Sequence, residues 1–175
     1  KQQVISDAQQ LFADLKRVEV HDQRKDGGWD IDDIKALIKQ ELEAAGSVLV
    51  IVNTKKMAKE IYQQCYVELQ AKIFHLSAYM CPAHRVDKLK EIEGLLEKSP
   101  VVCISTQLIE AGVDIDFGSV IRSLAGLDSI AQAAGRCNRH KRRATPGRVT
   151  IVNPINENFD SLKDMIKAGA SGYIQ

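Results

Sequence analysis

Five consecutive apolar residues, Val48 to Val52, constrain the fold of this chain more than any other feature. A strand with no polar residue on either face is typical of a parallel sheet covered by helices on both sides. Shorter apolar runs recur along the chain, and one alternating segment is expected at an edge of the sheet. The further predicted strands are 17–21, 73–76, 101–104, 119–124 and 148–152. Together they predict a three-layer α/β domain with a mostly parallel sheet of about six strands.

Helical patterns lie between the predicted strands. Asp30 with Asp33 predicts a helix start and Gly46 its end. Pro82 is tolerated in a first helical turn and predicts another start. A short helix is also expected from Ser6 to Leu15. The apolar faces expected to reach the core are Ile31, Ile34, Leu37, Ile38 and Leu42 in the first of these helices, Met57, Ala58, Ile61, Tyr62 and Cys65 in the next, and Val86, Leu89, Ile92 and Leu96 after Pro82.

The size and charge of the chain suit one globular domain over residues 1–175. A net charge of +1 provides no global attraction to nucleic acid, so binding would need a local basic patch. One candidate patch lies between Asp128 and Glu157, where the chain contains no acidic residue. Its basic residues are Arg136, Arg139, Lys141, Arg142, Arg143 and Arg148. A solvated basic loop explains residues 141–143 equally well.

The four cysteines, at positions 65, 81, 103 and 137, have neither Cys-x-x-Cys pairing nor zinc-type spacing with histidine. We therefore expect reduced thiols and no metal site. No apolar run approaches the length of a membrane span, and no signal peptide is recognisable, so a cytoplasmic location without membrane contact is expected. The first residue is Lys1 rather than Met, which suggests a fragment of a longer protein.

Polar residues follow three of the predicted strands, where ligands bind in parallel α/β sheets. They are Asn53 and Thr54, then Ser77, then Ser105 and Thr106. Hydroxyls and backbone N–H groups at helix starts favour anionic oxygens, whether of a nucleotide or of a nucleic-acid backbone. The same residue types also cap helices, and for Asn53 and Thr54 capping is the preferred interpretation.

Gln132, Arg136 and Arg139 are spaced i, i+4 and i+7, so a helix would present all three on one face. Guanidinium groups suit phosphoryl oxygens, and a rigidly held pair is typical of phosphoryl-transfer sites. An ordinary solvated helix face is the alternative interpretation. Small neighbours, Ala131, Ala133, Ala134 and Gly135, weaken that alternative because they allow another surface to approach closely.

These segments resemble motifs of superfamily-2 helicases, located in the second RecA-like lobe. Residues 48–54 resemble motif IV, residues 105–114 motif V, and residues 132–139 motif VI. The segment 75–85, His-Leu-Ser-Ala-Tyr-Met-Cys-Pro-Ala-His-Arg, is similar to one in the helicase-nuclease of type I CRISPR interference. The form Gln-Ala-Ala-Gly-Arg-Cys-Asn-Arg of motif VI indicates the same family. The resemblance covers about residues 46–153 and implies a RecA-like, P-loop NTPase-like fold.

The resemblance also implies roles for individual residues. Arg139 would be the arginine finger that reaches the γ-phosphate of ATP, beside Arg136, while Gln132 would couple the nucleotide to the lobe interface. Gly112 and Asp114 would lie at the nucleotide together with the two arginines. Contacts to the sugar-phosphate backbone of single-stranded DNA are implied for Ser77, Arg85 and Thr106.

The chain has no Gly-x-x-x-x-Gly-Lys-Ser/Thr segment, no acidic motif for magnesium and no nuclease metal cluster. The resemblance therefore implies half of a motor, inactive alone, with ATP and Mg²⁺ held by a first RecA-like lobe. Implied partners are single-stranded DNA, that first lobe, a nuclease domain and the Cascade-type effector complex. Two alternatives remain open: the second lobe of another superfamily-2 DNA or RNA helicase, and a non-catalytic nucleic-acid-binding α/β module.

Overall fold

A computed structural model describes residues 17–77, 79–106, 115–140, 143 and 145–157. The strands are β1 (Val18–Asp22), β2 (Ser47–Ile51), β3 (Lys72–Leu76), β4 (Val101–Ser105), β5 (Ser119–Ser123) and β6 (Gly147–Val152). The helices are α1 (Ile31–Ala45), α2 (Lys55–Glu68), α3 (Pro82–Leu95) and α4 (Leu127–Ala134). All six expected strands are confirmed to within two residues at either end. The helix expected from Ser6 to Leu15 lies outside the described residues.

The six strands form one sheet in the order β1-β6-β5-β2-β4-β3. Every neighbouring pair is parallel, as predicted. The alternating strand β1 lies at one edge of the sheet and β3 at the other. Because all strands run the same way, they begin at one side of the sheet, here called the amino edge, and end at the other, the carboxyl edge.

Two apolar layers cover the sheet. Side chains that alternate along β2 point to opposite layers: Leu49 and Ile51 to one, Val48 and Val50 to the other. Helices α1 and α2 pack on the second layer, and α3 and α4 on the first. Burial on both faces explains why β2, β4 and β5 are buried along their whole length.

Local signals place the helix ends. Asp30 caps α1 by accepting a hydrogen bond from the amide of Asp33, and Gly46 ends that helix with φ of 70°. Pro82 is the first residue of α3. The prediction that Val86 reaches the core is wrong, since 49% of its surface is exposed. The buried residues of α3 are Leu89 and Ile92, whereas residues 82–84 before Val86 are exposed, so the helix packs on the sheet through its later turns.

The cysteines behave as isolated thiols. All four are free; Cys65, Cys103 and Cys137 are buried, and Cys81 is exposed. Burial raises the pKa of Cys65 and of Cys137 to about 12. Such thiols stay protonated at neutral pH, which makes them poor nucleophiles and poor metal ligands. Within the described parts of the chain, no helix has the length and apolar character needed to cross a membrane.

Candidate functional site

Ser77 and Thr106 lie side by side at the carboxyl edge. They directly follow β3 and β4, which are neighbours with Leu76 opposite Ser105. The hydroxyl of Ser105 donates to the carbonyl of Leu76 at 3.2 Å and joins the two strand ends. Ser77 is half-buried, whereas Thr106 is only 8% exposed. The structure thus brings together two of the three predicted nucleic-acid contacts.

Arg85, the third predicted contact, belongs to the same corner. Its Nη2 donates to the carbonyl of Met80 at 3.1 Å, and the amide of Met80 donates to the carbonyl of Ser77 at 3.1 Å. The guanidinium therefore braces the turn that leads from β3 into α3. His84 is exposed there, and its amide donates to the sulfur of Cys81 at 3.5 Å. The imidazole has no role that this geometry identifies.

The start of α2, also at the carboxyl edge, carries an internal anion. One carboxylate oxygen of Glu157 accepts hydrogen bonds from the amides of Asn53 at 2.7 Å and Thr54 at 2.8 Å. The hydroxyl of Thr54 caps the helix by accepting from the amide of Met57 at 3.2 Å. Capping, the preferred interpretation of Asn53 and Thr54, is confirmed for Thr54, whereas the side chain of Asn53 bonds to Arg122 and Leu124 instead. The donors that a phosphate would use there already bind Glu157.

A buried arginine supports this corner. Arg122 of β5 is 1% exposed and donates to the side-chain oxygen of Asn53 at 2.8 Å. The side-chain nitrogen Nδ2 of Asn53 in turn donates to the carbonyl of Leu124 at 2.8 Å. Sequence reasoning assigned nothing to Arg122, although a lone charged residue inside an apolar strand is itself a signal, because buried charge requires compensating polar partners.

The prediction that Gln132, Arg136 and Arg139 share one helix face is wrong. Helix α4 ends at Ala134, and Gly135 is its C-cap. The amide of Arg136 bonds to the carbonyl of Ala133, which closes the last turn more tightly than an α-helix does. Gln132 is exposed on α4, whereas both arginines follow the helix in turns.

A backbone bridge causes this early ending. The amide of Phe117 donates to the carbonyl of Arg136 at 2.9 Å, and the amide of Asn138 donates to the carbonyl of Phe117 at 3.0 Å. Both Phe117 and Cys137, the bridged pair, are completely buried. Burying Cys137 against Phe117, two residues before β5, requires an extended path, and Asn138 turns the chain afterwards with φ of 44°.

Asp116 fixes the turn that contains Arg139. One of its carboxylate oxygens accepts from the amide of Arg139 at 2.7 Å, and the other from the amide of His140 at 3.1 Å. Arg17 adds a hydrogen bond from Nη1 to the carbonyl of Arg139 at 3.1 Å. The backbone of Arg139 is therefore held on both its N–H and C=O sides, while the residue itself is exposed. Sequence reasoning missed Asp116 because a carboxylate this far along the chain has no helical or strand spacing to Arg139.

The motif VI arginines lie at the amino edge, whereas the polar residues that follow β2, β3 and β4 lie at the carboxyl edge. The sulfur of Cys137 contacts the carbonyls of Gly118 at 3.5 Å and Arg148 at 3.4 Å, next to the starts of β5 and β6. The length of a five-residue strand, about 16 Å, separates the two edges. Gly112 and Asp114 lie outside the described residues, so their predicted positions stay predictions.

Some basic residues of the expected patch bind other parts of the protein instead of facing solvent together. Arg148 donates to the buried carboxylate of Glu41 at 3.2 Å, and Ser119 donates to the same carboxylate at 2.7 Å. Arg143 packs its guanidinium against Gly118 at the amino edge. Lys141 and Arg142 lie outside the described residues. At least two of the six basic side chains thus contribute to the packing of the amino edge.

Comparison with known proteins identifies the family. A family model described as "CRISPR-associated nuclease/helicase Cas3, C-terminal" matches residues 44–142, more than half of the chain. A relative from Haloferax volcanii with the name CRISPR-associated nuclease/helicase Cas3 is 52% identical over 76 residues, 40% of this chain and 8% of that protein. The protein of the same name from Streptococcus thermophilus is 31% identical over 111 residues, 60% of this chain and 12% of its own length. The chain spans about a tenth of these two relatives.

Solved structures confirm the RecA-like fold. The crystal structure of T. fusca Cas3-AMPPNP matches with a TM-score of 0.67 at 23% identity, over 82% of this chain and 18% of that one. A chain of a CRISPR RNA-guided surveillance complex, pre-nicking, matches with a TM-score of 0.62 at 21% identity, over 83% of this chain and 19% of that one. The C-terminal domain of the DEAD-box protein Dbp5 matches with a TM-score of 0.56 at 17% identity, over 89% of this chain and 86% of that domain's chain.

At these identities the structures show the fold alone, and the family model carries the finer assignment. The prediction from the motifs at residues 75–85 and 132–139 is thereby confirmed. The chain belongs to the family of the C-terminal domain of the CRISPR-associated nuclease/helicase Cas3.

Proposed function

We propose that this chain is the second motor lobe of an ATP-dependent single-stranded DNA translocase that acts in type I CRISPR interference. Membership of the Cas3 C-terminal family supports the proposal. So does the fold shared with T. fusca Cas3, whose structure includes the ATP analogue AMPPNP. The likeness to a chain of a CRISPR RNA-guided surveillance complex supports a Cascade-type effector as partner. The first RecA-like lobe and a nuclease domain would complete the motor.

One observation carries the proposed catalytic role: the anchored backbone of Arg139. An arginine finger must be positioned before the reaction, because a flexible cation gains little from the charge that develops on the transferred phosphoryl group. Asp116 binds the amide of Arg139, and Arg17 binds its carbonyl. The Phe117–Cys137 bridge holds the preceding residues. Arg139 is exposed at the end of this anchored turn, where a neighbouring lobe could present a nucleotide.

The neighbouring residues receive supporting roles. Arg136 is half-buried three residues before the finger and would contact the phosphates beside it. Gln132, exposed on α4, would couple the nucleotide to the lobe interface. Gly112 and Asp114 would complete the nucleotide side. Since this sequence has no Walker-type phosphate loop, ATP and its Mg²⁺ would be held mainly by the first lobe.

The carboxyl edge would provide part of the DNA track. Ser77 and Arg85 lie there in one braced turn, with Thr106 on the adjacent strand end. Contacts of this kind bind phosphates without reading sequence, which a translocase requires. About 16 Å of sheet separates this track from Arg139, so substitutions at the two places should affect different measurements.

The test is a substitution of Arg139 by Ala in the full-length protein that contains this chain. We expect kcat for DNA-stimulated ATP hydrolysis to fall by about 10³-fold or more, with a modest change in ATP binding, because the guanidinium acts mainly on transition-state charge. Arg24→Ala is the matched control. Arg24 is exposed and pairs with Asp22 at the end of the edge strand β1, and we expect near-normal turnover.

Equal and small losses from Arg139→Ala and Arg24→Ala would contradict the finger assignment and favour a solvated arginine. Arg139→Lys refines the test, because a lysine keeps the charge but has no planar fork for bidentate contacts. We also expect the 175-residue chain alone to hydrolyse ATP only at background rate. Robust turnover by the chain alone would contradict the two-lobe proposal.

A further inference from the structure

Tyr79 is the most exposed large aromatic residue among those described, with 84% of its surface open to solvent. It lies in the turn between β3 and α3. Its amide donates to the hydroxyl of Ser77 at 3.3 Å, and the next residue, Met80, bonds back to the carbonyl of Ser77. With Arg85 bracing the same turn, the backbone that carries the ring is held from both sides.

Lys55 positions the ring. Its ammonium nitrogen lies 3.7 Å from the centroid of the Tyr79 ring, well within the range of a cation–π contact. Lys55 is the first residue of α2, and Tyr79 follows β3, so the pair spans the carboxyl ends of β2 and β3 with β4 between them. Because the residue is 84% exposed with the ammonium over one face, most of the opposite face is open to solvent.

An open aromatic face beside a positive charge fits one nucleotide of a single strand. A base can stack on the ring, while the ammonium neutralises an adjoining phosphate. A base inside a duplex has both faces covered by its neighbours, so only an unpaired strand offers such a face. The position of Tyr79 also favours single-stranded DNA as the ligand, since Ser77 and Arg85 of the proposed DNA track hold the same turn.

A second exposed tyrosine serves as comparison. Tyr66 is 65% exposed but lies near the other end of α2, about 16 Å along the helix axis from Lys55. Its ring contacts Tyr62, with centroids 5.6 Å apart. Tyr66 thus has comparable exposure away from the proposed track, which makes it a matched control.

We propose that Tyr79 and Lys55 form a base-stacking site for one nucleotide of the single-stranded DNA. The inference rests on the proposed function and adds a base contact to a track otherwise composed of backbone contacts. The Tyr79 ring binds the base through its open face, and Lys55 holds the ring and attracts the phosphate. Because every base has an aromatic face, the site tolerates any sequence.

The experiment compares two oligonucleotides of equal length, one of thymidines and one wholly abasic, by fluorescence anisotropy with the full-length protein. The Kd of the abasic oligonucleotide divided by the Kd of the thymidine oligonucleotide measures the contribution of the bases to binding. In Tyr79→Ala we expect that ratio to fall by about tenfold, since one stacked base is lost. Tyr79→Phe should keep the wild-type ratio because the aromatic face remains. Tyr66→Ala should also keep it.

Lys55→Gln tests the charge separately. We expect the slope of log K against log salt concentration to flatten by about 0.7, the value for one single-strand phosphate contact, whereas Tyr79→Ala should leave the slope unchanged. If the wild type binds tightly and Tyr79→Ala keeps the wild-type ratio, the stacking site is refuted while the proposed function stands. If the wild type does not bind single-stranded DNA, the proposed function itself fails, and the stacking site with it.

Discussion

At the scale of single residues, Gly118 shows how closely the amino edge is packed. Its amide donates to the hydroxyl of Ser47 at 2.9 Å, and its carbonyl accepts the weak hydrogen bond from Cys137. A methyl group at this position would lie 2.5 Å from both the carbonyl oxygen of Ala45 and the guanidinium of Arg143. The arginine could move, but the backbone oxygen could not. Only a hydrogen atom fits between β5 and the end of α1.

Gly118→Ala should therefore lower the free energy of unfolding of the chain by about 1–3 kcal/mol, the usual cost of overpacking. Urea denaturation followed by circular dichroism measures the change. Gly94→Ala is the matched control, because Gly94 lies in α3 with open space around the added methyl group. That substitution should stabilise the chain by about 0.5–1 kcal/mol, since alanine favours a helix. The same sign for both variants would contradict the packing described for Gly118.

At the scale of elements, Glu157 joins the segment after β6 to the start of α2. The two residues whose amides it binds, Asn53 and Thr54, precede the helix, where the backbone dipoles favour a negative charge. The carboxylate is 3% exposed, so these hydrogen bonds form away from water. Arg122 and Asn53 extend the connection to β5. The ends of β2, β5 and β6 are thereby tied together, beside the ends of β4 and β3 that form the proposed DNA track.

Glu157→Gln keeps the shape of the side chain but removes its charge. We expect a loss of about 1–2 kcal/mol in the free energy of unfolding, because a charge-assisted hydrogen bond at a helix start is replaced by a neutral one. Faster hydrogen exchange at the amides of Asn53 and Thr54 should accompany it. Glu43→Gln, on the exposed side of α1, is the control and should change neither quantity. Unchanged exchange at both amides in Glu157→Gln would refute the capping role.

At the scale of the whole molecule, the cysteines report on the integrity of the fold. Cys65, Cys103 and Cys137 are buried in different places: Cys65 on the α2 side, Cys103 within the sheet, and Cys137 at the bridge that precedes Arg139. Only Cys81, at the start of α3, is exposed. With their pKa raised to about 12, Cys65 and Cys137 would carry a thiolate fraction of about 10⁻⁴ at pH 8.

Iodoacetamide at pH 8 should therefore modify Cys81 in the native protein and all four cysteines after denaturation. Peptide mapping by mass spectrometry over a time course gives the rate at each position. The native rates at the three buried thiols should be limited by opening of the structure. Modification of Cys137 as fast as that of Cys81 would mean that the Phe117–Cys137 bridge opens readily, and would remove the support for an anchored Arg139.

The sequence by itself determined the elements and their kind. A strand buried on both faces is predominantly apolar, so the run Val48 to Val52 identified β2 without any tertiary information. Asp30, Gly46 and Pro82 marked helix ends because capping depends on neighbouring residues. The order and spacing of segments 75–85 and 132–139 indicated the family, which the family model confirms.

Only the tertiary structure decided which distant residues meet. The end of α4 depends on the Phe117–Cys137 bridge, which overrides a spacing that favours one long helix face. Glu157 reaches Asn53 from 104 positions away, a pairing that no local periodicity records. The parallel direction of β3 and β4 and the bridge before β5 place the proposed DNA track and Arg139 at opposite edges of the sheet. The physical reason is common to all three. Local sequence patterns indicate backbone conformation and which face of an element is buried, whereas contacts between distant residues depend on how the whole core packs.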